Sequence, residues 1–410
     1  MIPVARTAAL LFCLAAFTAT LRAEVIPCGA DACSTSLTSV QPNMLLSESH
    51  ARFTRGANEW CWVSDTEHVF WKPTGQAFLA DADPPFYITG DTIPAGRDFE
   101  LFPYHYFGTE ESEPLGTDRL NYRLVAVNRT TATVTLTISG NGNTTDWEHA
   151  KAWEGALRGD GSTTITISPG ATTTLWEARG LKAGLPWSAV VFGRTDGDLW
   201  VADYCFRGER DPGIAKAQPM PDLAWPPHLL ASFTRGHADW FSATVDLFPR
   251  QRGDDGAIPV SLLAGKSHSV PIGYSPGGPV TDLCEYKAVE PAFAADQYYV
   301  TDPVSGHRHV FFGGNYPVCY RMPLPLANDT ADTRTVTLHL SANDRLYVDS
   351  LAGVWLAGRF DWRRVAGSHT DAHWRFCRVV LAPGAHETVT PVIVSPGSRW
   401  GGLIFSIAVE

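Results

Sequence analysis

A ten-residue string occurs twice in this 410-residue chain, and the segments that follow it recur in the same order. Ala51–Trp60 (ARFTRGANEW) returns as Ala231–Trp240 (ASFTRGHADW). Thr133–Asn141 (TVTLTISGN) returns as Thr335–Asn343 (TVTLHLSAN), each behind an Asn-x-Thr turn at Asn128 and Asn328. Ser168-Pro169-Gly170 matches Ala382-Pro383-Gly384, and Trp187–Phe192 matches Trp400–Phe405. Collinear matches of this kind mark an internal duplication, so the chain must fold as two versions of one unit. The boundaries predicted are 24–206 for the first unit, a Pro-rich linker over 207–228, and 229–410 for the second.

The unit is built of strands. Around the Asn128 turn, Tyr122–Val127 and Thr133–Ile138 alternate Thr with aliphatics at period two, as half-buried strands do. These two segments are expected to form a hairpin, as are Thr163–Ile167 with Thr172–Trp176, Arg378–Leu381 with Thr388–Val394, and Gln297–Thr301 with His307–Phe312. The best helical candidate is short, Asp146–Leu157. The 36 Gly and 29 Pro supply turns, and 14 Trp supply large rings to bury. The expected fold is all-β: two related antiparallel β-sandwich, jelly-roll-like units with little helix.

The first residues carry one cation, Arg6, before an apolar run from Ala8 to Ala19 and a small-residue site at Leu21-Arg22-Ala23. Residues 1–23 therefore read as a secretory signal peptide, and the mature chain, without a membrane span, is expected to be secreted or periplasmic. In that setting disulfides are expected among Cys28, Cys33, Cys61, Cys205, Cys284, Cys319 and Cys377, the odd count leaving at least one thiol free or intermolecular, with Cys28 and Cys33 able to close a short loop. The net charge of −11, with no basic stripe, argues against nucleic acid.

Several segments resemble a family of exported proteins of unknown function known mainly from cyanobacteria. These are Gly96–His105 (GRDFELFPYH), Gly236–Trp240 (GHADW) followed by Ser269–Gly278, and Asn315–Leu326 leading into the Asn328 turn and Thr335–Ser341. The Cys-rich start at Cys28 and Cys33 departs from that family's pattern. The resemblance implies export and β architecture, and it carries over no catalytic residue.

Chemical motifs are sparse. Gly273-Tyr274-Ser275-Pro276-Gly277 fits a nucleophile elbow by letters only, because Pro276 to Pro279 denies the following helix. Ala264-Gly265-Lys266-Ser267 lacks the upstream Gly of a phosphate loop, since Val260 stands there. His307 and His309 lie two apart on an expected strand, so both imidazoles share a face and would supply two ligands to a divalent metal. Further ligands would come from His369, His373 or His105; otherwise no cofactor is expected.

Flat rings stack on apolar sugar faces, which makes Tyr104, His105, Tyr106, Trp71 and Trp362 the candidate ligand-binding residues. Duplicated tryptophans (Trp60 with Trp240, Trp187 with Trp400) are assigned to cores. Unduplicated ones, Trp71, Trp147, Trp153, Trp355, Trp362 and Trp374, are freer to act at a surface. Two functions follow. One is an exported non-catalytic binding or scaffold protein whose partner is extracellular polysaccharide or an envelope component. The other is an extracellular glycoside hydrolase or polysaccharide lyase, with Tyr104, His105, His307 and His309 at a site between the units; a hydrolase would also need two carboxylates about 5–9.5 Å apart.

Overall fold

The computed structural model describes residues 23–28, 34–35, 44–45, 51–69, 85–107, 119–182, 184–219, 233–265, 267–272, 299–301, 308–310, 318–342, 350–365, 373–396 and 403–410. It is mostly strand, with antiparallel pairing dominant, as the period-two patterning requires.

An eight-stranded sheet runs in the order β10 (Thr163–Ile167), β9 (Val134–Thr144), β12 (Pro186–Thr195), β7 (Asp98–Phe107), β5 (Glu59–Val69), β15 (Phe233–Ala238), β19 (Tyr299–Thr301) and β20 (Arg308–Val310). Facing it is a five-stranded sheet of β11 (Thr172–Lys182), β8 (Arg119–Val127), β13 (Leu199–Phe206), β6 (Phe86–Ile93) and β14 (Gln218–Pro219). The two enclose the first core, which gathers Trp60, Trp62, Phe99, Leu101, Leu124, Leu136, Trp187 and Val201.

The second sandwich draws strands from both expected units: β1 (Ala23–Pro27), β26 (His373–Leu381), β23 (Arg334–Ala342), β29 (Leu403–Val409), β18 (His268–Ile272) and β3 (Met44–Leu45) form a sheet, with β2 (Ser34–Thr35) also on β26. Opposite lie β25 (Arg359–Val365), β24 (Ser350–Leu356), β28 (Val392–Val394), β21 (Cys319–Arg321), β16 (Ser242–Leu247) and β4 (Ala51–Arg55). A small sheet of β17 (Ile258–Pro259), β22 (Leu324–Ala327) and β27 (His386–Val389) completes the layer. The second core unites this sandwich with the back of the eight-stranded sheet: Cys61, Val63, Phe102 and Val190 pack in one cluster with Tyr320, Leu338 and Phe405. The halves therefore share a continuous interior.

They also trade strands. β4 pairs with β16, while β15 pairs with β5. In the repeat alignment β4 matches the start of β15, so each copy's first strand is hydrogen-bonded to the other copy's next one. Glu59 locks the crossing, accepting hydrogen bonds from the Phe241 and Ser242 amides at 2.9 Å and from Ser242 Oγ at 2.6 Å.

Three of the four expected hairpins are arches instead. β8 and β9 flank the Asn128 turn but pair with β11 and β10, in opposite sheets. β10 and β11 flank Pro169-Gly170 in the same way, and β26 and β27 repeat it in copy two. Both strands of an arch bury one face in the same core, so their patterning matches that of a hairpin while the turn crosses between layers. The fourth hairpin holds: β19 and β20 pair antiparallel, with Tyr299 opposite Val310.

Cys28, Cys205, Cys319 and Cys377 are buried free thiols, which corrects the disulfide expectation for these four; Cys61 is buried as well. Cys61 and Cys205, for example, lie in different cores, on opposite sides of the eight-stranded sheet. Burial pushes the Cys377 thiol up to about 12, with Cys28 adding to it. Cys33 and Cys284 lie outside the described residues. Among the described residues, no helix is long and apolar enough to cross a membrane.

Candidate functional site

β7 carries Tyr104, His105 and Tyr106 in succession, and a strand sends neighbours to opposite faces. His105 therefore enters the first core, where it is 0% exposed. Its Nε2 lies 2.8 Å from Asp203 Oδ2 and 3.5 Å from Ser64 Oγ. The Tyr122 hydroxyl donates to the same Asp203 oxygen at 3.1 Å, and the Thr89 amide donates to the other at 3.1 Å. Burial, and after it the Asp203 charge, raises the Tyr122 phenol well above its ordinary value. Trp187 and Tyr122 flank the imidazole, with ring centroids 5.4 and 5.5 Å away. Ser, His and Asp meet here, but a catalytic triad places the hydroxyl and the carboxylate on different ring nitrogens. Both contacts fall on Nε2, His105 Nδ1 has no hydrogen-bond partner, and the group is sealed from solvent. It is a core network.

Tyr104 points the other way. On that face Thr144, Ser188, Tyr104 and Asp65 stand side by side across β9, β12, β7 and β5. His149 covers this row: its Nε2 is 3.3 Å from the Tyr104 hydroxyl and its Nδ1 3.2 Å from Ser188 Oγ. The imidazole is 1% exposed, and burial pulls its pKa down to about 4; the nearby Arg364 charge acts in the same direction and Asp146 opposes it. At neutral pH His149 is therefore uncharged, with one ring proton for its two partners.

Two residues before it, Trp147 is 48% exposed and is the exposed large hydrophobic among the described residues. Its ring meets His149 edge-on, with centroids 6.3 Å apart at 74°. The turn beneath it is held by Asp146, which accepts from Thr144 Oγ1 at 2.8 Å and the Glu148 amide at 2.7 Å, while Lys151 pairs with Asp146 and Glu148. The helix α1 (Ala150–Arg158) follows, all but its last residue within the span expected from sequence. It lies directly on β9 because Gly140 and Gly142 leave room; a Cβ at either position would overlap the carbonyl oxygen of Ala156 or Ala152. Beyond β9, α1 packs against β24 and β25, the hairpin inserted at the corresponding place in copy two. The turn that carries Trp147 thus leads into the helix that meets the copy-two hairpin.

The other nominated residues scatter. Trp362 is half-buried on β25 against the second core, while Trp153 and Trp374 are fully buried, which corrects their assignment to a surface. Trp71 and His307 lie outside the described residues; Tyr106 and His309 belong to β7 and β20, but their side chains are not described. Among the described residues no group of three metal-ligating side chains converges. Sequence reading missed His149, Ser188 and Asp203, each supplied by a different strand or turn. The glycine pair at Gly140 and Gly142 was the available signal for a close-packed helix.

No family model matches the chain, and no curated protein matches it. Among solved structures, the PBSX exported protein XepA aligns over 80% of this chain and 86% of its own at 10% identity, TM-score 0.15. The Cry4Aa toxin from Bacillus thuringiensis aligns over 70% and 42% at 7% identity, TM-score 0.18. The CBM22-1–CBM22-2 tandem domain of Paenibacillus barcinonensis Xyn10C aligns over 72% and 80% at 7% identity, TM-score 0.14. At these values none bears on function.

Proposed function

We propose that this is an exported, non-catalytic binding protein that holds extracellular or envelope polysaccharide, with Trp147 as its sugar-stacking ring. Trp147 carries the reading: the indole is 48% exposed, and a turn fixed by Asp146 presents it. A ring already held in place loses little conformational freedom on binding. Export rests on the leader-like residues 1–23. The enzyme reading required Tyr104 and His105 in one groove, and they lie on opposite faces of a sheet, His105 without access to solvent.

The test is incubation of the full chain with a panel of polysaccharides, scoring both retention and new reducing or unsaturated ends. Retention without cleavage is expected, and Trp147→Ala should weaken it about tenfold, the scale of one stacking contact, without altering the melting temperature. Cleavage of the retained polymer, or retention untouched by W147A, would overturn the reading.

A further inference from the structure

The outer face of the five-stranded sheet carries a second arrangement, unconnected with Trp147. Tyr87, Val125, Val127, Trp200, Ala202, Tyr204 and Phe206 cluster there rather than in the sandwich core. One end of this face is occupied by the chain leaving β13: Asp211 accepts from the Tyr204 hydroxyl at 3.0 Å and pairs with Arg123. The other end holds Trp200 and Arg129. The Trp200 ring lies so close over Gly90 that a Cβ there would come within 2.6 Å of it. The Arg129 guanidinium carbon sits 3.5 Å from the Trp200 ring centroid, and the Tyr87 ring stands edge-on to Trp200 at 6.5 Å.

Arg129 differs from its neighbours in charge balance. Arg123 pairs with Glu177 and Asp211, and Arg179 pairs with Glu177. No acidic side chain among the described residues pairs with Arg129, although it is exposed; its stacking partner is Trp200. The backbone that carries it is rigid, because Asn128 is 0% exposed and its amide donates to the Ala132 and Ile167 carbonyls at 2.7 and 2.8 Å. In copy two the same turn position is Asp329, which accepts from the Ser261 amide at 2.9 Å and bonds its hydroxyl, so that position is satisfied internally. A stacked guanidinium still presents its N–H fork edgewise, the geometry that grips a carboxylate or sulfate with two bonds.

We propose that Arg129, braced on Trp200 and flanked by Tyr87, is the anion-binding point for a carboxylate- or sulfate-bearing sugar chain. The fork takes the acidic group, and the half-buried Tyr87 and Trp200 rings take the apolar part of the sugar. The choice of sugar rests on the polysaccharide reading above; the choice of an anion rests on Arg129 alone.

The experiment titrates the full chain with an oligogalacturonate, a sulfated neutral oligosaccharide, the unsulfated homologue and an oligoglutamate, following tryptophan fluorescence and calorimetry. One of the two acidic sugars is expected to bind, and which one identifies the anion. Arg129→Gln should weaken that binding about tenfold, and Arg129→Lys should fail to restore it, because an ammonium neither stacks nor forks. The Arg129 side chain takes no part in the Asn128 turn, so both variants should keep the parent's fold, with only the small loss in melting temperature that an exposed cation–π contact accounts for. The proposal falls if neither acidic sugar binds, if R129Q binds as tightly as the parent, or if the unsulfated homologue or the oligoglutamate binds equally well. Loss through W147A instead of R129Q would overturn this site while supporting the other.

Discussion

Asn128 and Asn328 occupy the same buried turn in the two copies and make the same bonds. Asn328 donates to the Asp332 and Leu381 carbonyls at 2.8 Å each, as Asn128 does to Ala132 and Ile167. Thr130 and Thr330 return an amide and a hydroxyl to the asparagine oxygen, and Gly170 and Gly384 donate to the asparagine carbonyl at 2.7 and 2.8 Å. One strand later the copies part. Copy one inserts α1 over Gly140 and Gly142; copy two, with Leu340 and Ala342 at the corresponding places, inserts the β24–β25 hairpin. The arches that tie two layers together have been kept, and the segments free to vary carry the exposed ring. The comparison also corrects the repeat itself. The turn bonds set the copies at an offset of 200, from Asn128 to Asn328, whereas the string match of Thr133 with Thr335 implies two more. A two-residue slip keeps every side chain on its face, so composition alone does not detect it.

The largest test of this equivalence is truncation of the paired turns. Asn128→Ala and Asn328→Ala each strand buried carbonyls and should each cost about 3 kcal/mol in denaturant unfolding. A large cost in one copy and none in the other would break the claim that the arches are equivalent.

Next in size is Glu100, on the face where the copies meet. Its carboxyl is 0% exposed and neither oxygen has a hydrogen-bond partner; burial, and then the Glu59 charge, raises its pKa well above the usual carboxylate range. The folded state thus holds a proton that the unfolded chain releases, so this group's stability is present at acid pH and is lost as pH rises. Glu100→Gln should stabilise the protein, with the gain over the parent growing by about 1.4 kcal/mol per pH unit above about pH 4.5, until the folded carboxyl itself ionises. A gain independent of pH would show that Glu100 is already charged in the fold.

The smallest effect separates two tryptophans matched by the repeat. His237 stacks on Trp60, centroids 5.9 Å apart, whereas Arg55 lies 4.7 Å over Trp240. A hydrogen bond to Asp91 at 2.6 Å raises the His237 pKa, so its contribution is present at low pH and fades as pH rises through the folded value. His237→Gln and Arg55→Gln should each cost about 0.5 kcal/mol at acid pH, as exposed pairs do. Unfolding measured between about pH 5 and 9 should find the His237 cost shrinking and the Arg55 cost constant.

Much of the fold was legible because patterning is local. Alternation in Thr133–Ile138 identified strands, the Asp146–Leu157 window covered the helix up to its last residue, and the repeat identified two related units. The pairing was not legible, since an arch and a hairpin carry the same alternation. For the site, Tyr104 and Trp147 could be named from sequence, but their partnership with His149 and Ser188 could not. His105 looked equal to Tyr104 as a ligand group until the pleat sent it into the core.

By itself, then, the sequence determined the β class, the doubling, the apolar run from Ala8 to Ala19 and the supply of aromatic rings, all properties of neighbouring residues. Only the tertiary structure decided that the copies exchange strands around a shared core, that His105 is sealed beside Asp203, and that Trp147 and Arg129 remain at the surface. Those outcomes depend on contacts between residues far apart in the chain, where burial removes water from one face of a strand and leaves the other in it.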